Sequence, residues 1–151
     1  MSDEFTYACK LLLRREYSEG ELRRKLQAKF PDNDDIGIVI GQLLDEGLLS
    51  DERFCEAFIR SRVARFQGPR KIRAELSHKL VAEHTAEQCL EAAGMNWREL
   101  AGQWLARQGE IAADSEEDQY QLRAKYYRRL VNRGFTHDQA MDALNSKLND
   151  L

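Results

Sequence analysis

At 151 residues, with 42% hydrophobic and 32% charged side chains, the chain is long enough for a packed core and too apolar to be disordered. No run reaches the roughly 18 apolar residues of a membrane span. The N-terminus MSDEFTYACK lacks a basic segment followed by an apolar one, so a cytoplasmic protein with no membrane contact is expected. The cysteines, Cys9, Cys55 and Cys89, are odd in number and widely spaced. They argue against a disulfide framework or a zinc site and read as buried free thiols.

Leu, Ala, Glu, Arg, Lys and Gln dominate, and only two prolines interrupt them, which favours helix throughout. FTYACKLLLRREY predicts a first helix. Ser18-x-x-Glu21 is a capping box that opens a second over ELRRKLQAKF. Asp32, Asp34 and Asp35 lack the terminal glutamate of a calcium loop, and a polar turn with a helix cap is expected there. The one β-like run, IGIVIGQLL, also fits a buried helix through Ile36, Ile40, Leu43 and Leu44, ended by Gly47. In SDERFCEAFIRSRVARF the core stripe is Cys55, Ile59, Val63 and Phe66. Gly68-Pro69 breaks that helix and places Pro69 at the first position of the next. The following stretch, KIRAELSHKL, should bury Ile72, Leu76 and Leu80. A box at Thr85-x-x-Gln88 opens TAEQCLEAAG, which Gly94 ends. NWRELAGQWLARQGEIA carries Trp97 and Trp104 beside Leu100, Ala101 and Leu105, a packed seam. KYYRRLVNRG ends at Gly134, and Thr136-x-x-Gln139 opens THDQAMDALNSKL.

Three of these helices superimpose. Leu22, Ile72 and Tyr126 coincide, as do Leu26, Leu76 and Leu130, and then the bases Lys29, Lys79 and Arg133. The two apolar positions are one helical turn apart and face a core. Each such helix has a helix before it and a short one after it. The expected class is therefore all-α: one domain, 1–151, of three tandem three-helix repeats (4–49, 50–95 and 96–151), elongated and curved.

Charge follows the same period. Residues 10–29 hold seven bases and three acids, residues 53–80 eight bases and two acids, and residues 122–134 five bases and no acid. Acidic stretches separate them, for a net charge of −3. The candidate partner-binding residues are Arg23, Arg24 and Lys25 in the first block, Arg62, Arg65, Arg70, Lys71 and Arg73 in the second, and Arg128 and Arg129 in the third. Arg70, Lys71 and Arg73 sit in the first turns of a helix, where cations oppose the dipole and free N–H groups favour an anion. A local rule broken without evident structural gain points to function. Arg70 and Arg73 should project away from the core and not be needed for packing; the alternative to a partner contact is that both are solvated or paired with acids of the same chain such as Glu75. Tyr127 is expected to be exposed, a weaker candidate for base stacking. His78, His84 and His137 have no metal-ligand spacing, and no nucleotide-binding or nucleophile motif occurs, so neither an enzyme, a metal nor a cofactor is expected.

The stretches EYSEGELRRKL, LLDEGLLSDERFCEAFIRSRVARFQGPRKIRAEL and RRLVNRGFTHDQAMDAL closely resemble, in order, the RecX regulatory proteins of bacteria. The chain departs from many of them in a short 31–35 linker and at Leu80, where glycine is common. The resemblance implies three three-helix repeats. It also implies a protein that binds the RecA recombinase and its filament on single-stranded DNA, and mainly inhibits recombinase, ATPase and coprotease activity in DNA repair and the SOS response. Basic blocks suit such a partner, and direct contact with single-stranded DNA, and weakly with duplex, is expected. The alternatives are a free-standing helical DNA-binding regulator, which the acidic net charge disfavours, and a protein scaffold. No long heptad seam demands a dimer, so a monomer is expected.

Overall fold

The computed structural model describes residues 2–109 and 115–149. Among them are nine helices and no strand: α1 (Asp3–Arg14), α2 (Glu19–Lys29), α3 (Ile36–Asp45), α4 (Asp51–Val63), α5 (Pro69–His78), α6 (Glu83–Ala92), α7 (Trp97–Ala106), α8 (Glu116–Asn132) and α9 (His137–Asn149). No helix among the described residues is long and apolar enough to cross a membrane. The aligned positions are equivalent: Leu22, Leu26, Ile72, Leu76 and Leu130 are fully buried and Tyr126 nearly so.

The chain forms two compact units, Met1–Ile59 with Glu75–Ala93, and Arg60–Ala74 with Gly94–Leu151. In the first, α1, α2 and α3 close over Ala8, Tyr17, Leu22, Leu26, Ile36, Val39, Ile40, Leu43 and Leu49. The expected box opens α2: the Glu21 N–H donates to the Ser18 hydroxyl at 3.0 Å, and the Ser18 N–H to the Glu21 carboxylate at 3.3 Å. Gly47 turns the chain at φ 72° after α3, and the Leu48 N–H reaches back to the Leu43 carbonyl at 2.9 Å. In the same unit Phe54 stacks on Phe58, and Cys55 and Cys89 are buried free thiols in mutual contact. Burial pushes the Cys55 thiol up to about 12.

In the second unit α7, α8 and α9 enclose Leu100, Ala101, Trp104, Leu105, Tyr126, Leu130, Phe135, Ala140, Ala143 and Leu144, with Val63 and Phe66 against them. Trp104 meets Tyr126 edge-on at 6.2 Å, and Trp97 packs beside this core, as the seam required. Thr136 and Gln139 form their reciprocal box at 3.0 and 3.2 Å.

Five expectations fail, for local reasons. Phe66 does not continue the α4 stripe: α4 ends at Val63, and Phe66 turns the chain at φ 58° and is only partly buried. Leu80 is not core: α5 ends at His78, and Leu80 turns the chain at φ 66°, a conformation that suits glycine, with its side chain 36% exposed. Leu44 is exposed, and Val39 takes the buried place. The Thr85 box does not form, because α6 starts upstream at Glu83 behind Ala82, which has no capping oxygen. Asp35 stands at the start of α3 without a side-chain cap bond; instead its N–H donates to Asn33 Oδ1 at 2.6 Å and closes the polar turn.

Candidate functional site

Seven of the ten candidate residues belong to the second unit: Arg62, Arg65, Arg70, Lys71, Arg73, Arg128 and Arg129. What brings their elements together is a contact between two glycines. The Gly68 N–H donates to the Arg133 carbonyl at 2.7 Å, and the Arg70 N–H to the Gly134 carbonyl at 2.9 Å. A Cβ on Gly68 would lie 2.4 Å from the Gly134 carbonyl carbon, and one on Gly134 would lie 2.5 Å from Lys71 Cβ. Gly134 also holds φ at 101°. Neither position admits a side chain, so the turn before α5 seats on the end of α8.

The carbonyl end of α8 thus faces the N–H end of α5. The two dipoles attract, and unsatisfied groups of both ends pair. This corrects the expectation that the α5 N-terminus is open to a partner's anion: the Arg70 N–H is already filled. It also supplies a structural reason for cations there, because the α8 carbonyls offset the repulsion between α5's own dipole and Arg70, Lys71 and Arg73. The positive charge open at this end of α5 is then that of the side chains.

Arg65, Arg70, Lys71 and Arg128 are exposed, and none pairs with an acid among the described residues. Arg129 is exposed too and lies over the Tyr126 ring at 5.9 Å. Arg62 and Arg73 are half-buried and neither is free: Arg62 donates to the Ser61 hydroxyl at 3.4 Å, and Arg73 has an interaction of its own, so Arg73 is less open than Arg70. Arg133 is structural. Its guanidinium donates to the Arg65 carbonyl at 3.2 Å and covers Trp104 at 5.1 Å, and burial lowers its pKa. Arg107, from an acidic stretch of sequence, covers Phe66 at 5.0 Å and adds a base that block counting missed. Tyr127 is half-buried, hydrogen-bonded with His137 Nδ1 at 2.8 Å, and so is less free than its sequence position suggested.

Arg23, Arg24 and Lys25 lie on α2 of the first unit. Arg23 pairs with Glu19 at 3.3 Å one turn back, while Arg24 and Lys25 are exposed. The start of α2 is tied within its own unit. The Ser18 hydroxyl donates to the Lys79 carbonyl, the Glu19 N–H donates to Asp51 Oδ1 at 2.7 Å, and Glu21 meets Arg15 and Lys79 at 3.4 and 3.6 Å. Asp51 is a cap from another helix, which no local signal announces. Burial raises its carboxyl pKa, against the lowering by the Glu19 N–H.

Family models described as the first and second RecX three-helix domains match residues 5–43 and 50–90. The chain is 42% identical over 137 residues to "Regulatory protein RecX" of Chromohalobacter salexigens, covering 91% of this chain and 88% of the relative. It is 39% identical to the protein of the same name from Halorhodospira halophila, over 90% and 83%. Its fold is similar to the crystal structure of RecX from Lactobacillus salivarius, with a TM-score of 0.77 and 22% identity over all of both chains. It is also similar to a second RecX crystal structure, with a TM-score of 0.69 and 17% identity over 99% of this chain and 73% of that one.

Proposed function

This chain belongs to the RecX family of regulatory proteins, and from that premise we propose that it binds the RecA recombinase and its filament on single-stranded DNA and inhibits strand exchange, ATP hydrolysis and coprotease activity. The observation that carries the reading is identity to a named regulatory protein along nine-tenths of the chain. The site adds a physical reason. Exposed guanidinium and ammonium groups without an acid partner lose only water when they meet phosphate or carboxylate, so an anionic surface is their natural complement. Around the Gly68–Gly134 contact, Arg65, Arg70 and Lys71 stand in this state, with Arg128 further along α8. On α2 only Arg24 and Lys25 do, and Arg23 would first have to give up Glu19, a small loss for an exposed pair. The second unit therefore supplies the main contact and the first an auxiliary one.

The test is recombinase ATPase on single-stranded DNA with increasing amounts of this protein, beside its binding to naked single-stranded and duplex DNA. ATPase should fall while duplex binding stays weak. A duplex-specific shift with unchanged ATPase would instead support the free-standing DNA-binding regulator.

A further inference from the structure

Beside the basic cluster, the second unit has a groove of about 370 Å³ between α8 and α9. Tyr120, Arg123, Tyr127 and Arg128 line it from α8, and His137 and Met141 from α9. The spacing places the four α8 residues on one stripe. Its walls are mainly apolar. Of its polar wall groups, the Tyr127 hydroxyl and His137 Nδ1 are committed to each other at 2.8 Å, with the rings edge-on at 5.6 Å, which leaves the arginines at the rim as the main polar groups open to a ligand. At the groove's other end Tyr120 is 74% exposed, an aromatic side chain open to solvent. Arg123, hydrogen-bonded to Asn145, and Arg128 flank the opening, within a segment (122–134) of five bases and no acid.

We infer that this groove holds one unpaired nucleobase of a single strand, stacked on Tyr120, with the adjoining phosphates on Arg123 and Arg128. An aromatic face with flanking cations is how proteins hold single strands without reading sequence. A peptide laid in the same groove would bring backbone N–H and C=O groups, and the committed Tyr127–His137 pair offers them little. The acid-rich first turn of α8, with Glu116, Glu117 and Asp118, repels phosphate beyond Tyr120, so the strand should run from Tyr120 towards Arg128. The assignment rests on the filament reading for its biological setting. Its test uses strands without recombinase, so either can fail alone.

The experiment is fluorescence anisotropy with an oligo-dT strand and an abasic strand of equal length, in low salt. The dT strand should bind more tightly than the abasic one. Tyr120→Ala should weaken dT binding at least about fivefold, the smaller end of base–aromatic stacking, and leave abasic binding unchanged. Arg128→Ala should weaken both strands and reduce the log–log salt slope by about 0.7, one phosphate contact on a single strand. Equal binding of the two strands by the wild type, dT affinity indifferent to Tyr120→Ala, or no binding of either strand would each overturn the assignment. So would an acidic aromatic peptide that binds in a Tyr120-dependent way where dT does not, since it would give the groove to a protein partner.

Discussion

Gly68→Ala should damage this protein although it adds a single methyl group. The added Cβ would lie 2.4 Å from the Gly134 carbonyl carbon and 2.4 Å from the Phe135 nitrogen. Optimal carbon–carbon contact lies near 3.5–4.0 Å, so the overlap exceeds 1 Å. The atoms struck are backbone and cannot rotate away. The turn must lift, and the Gly68–Arg133 and Arg70–Gly134 bonds of 2.7 and 2.9 Å lengthen or break. Two net hydrogen bonds at about 1 kcal/mol each, with about 1–3 kcal/mol of overpacking, give a loss of about 3–5 kcal/mol. Gly41→Ala is the control. It is a helical glycine with nothing within 4 Å of its would-be Cβ, and replacing it should stabilise by up to about 1 kcal/mol through helix propensity. Urea unfolding of both variants, with unchanged m-values, measures the contrast. Gly68→Ala within about 0.5 kcal/mol of wild type would show that the glycine contact does not hold α5 on α8.

Leu76→Ala should cost about 2–5 kcal/mol in the same assay, and Leu26→Ala and Leu130→Ala likewise, because all three are fully buried. Ser18→Ala should cost about 1–3 kcal/mol, since it removes a helix cap and strips the Lys79 carbonyl of a donor. The Cys55 thiol has its pKa raised from 9.0 to about 12 in the fold, so the folded state holds its proton more firmly than the unfolded state. Its contribution is complete below pH 9 and is lost as pH rises towards 12. Alkaline unfolding of Cys55→Ala should accordingly fall less steeply with pH than that of wild type, and identical slopes would count against the buried neutral thiol.

Repetition made much of this legible before the fold was known. An apolar pair one turn apart has to face inward wherever it recurs, so Leu26, Leu76 and Leu130 found their register. The boxes at Ser18 and Thr136 were readable because both partners lie within four residues. The misses share a cause. Apolar spacing runs on through Leu80, but the chain leaves the helix two residues earlier, and the turn that follows also fixes the start of α6 ahead of Thr85. Gly68 and Gly134 are 66 residues apart, and nothing in a single sequence pairs them. Without that pairing, the carbonyl end of α8 could not be foreseen at the N-terminus of α5, and an occupied N–H looked free. Arg107 was hidden by its acidic neighbours in sequence, since block charge averages along the chain whereas the folded surface is assembled across it.

The most direct measurement is recombinase ATPase on single-stranded DNA titrated with the wild type and with an Arg65→Glu, Arg70→Glu double variant. Both side chains are exposed, so the variant should unfold in urea within about 1 kcal/mol of wild type. Two attractions become two repulsions at the basic cluster. The concentration needed for half-inhibition should rise at least about tenfold at physiological salt, and the gap should narrow as salt is raised. A folded double variant that inhibits as well as wild type would contradict the assignment of the regulatory contact to this cluster.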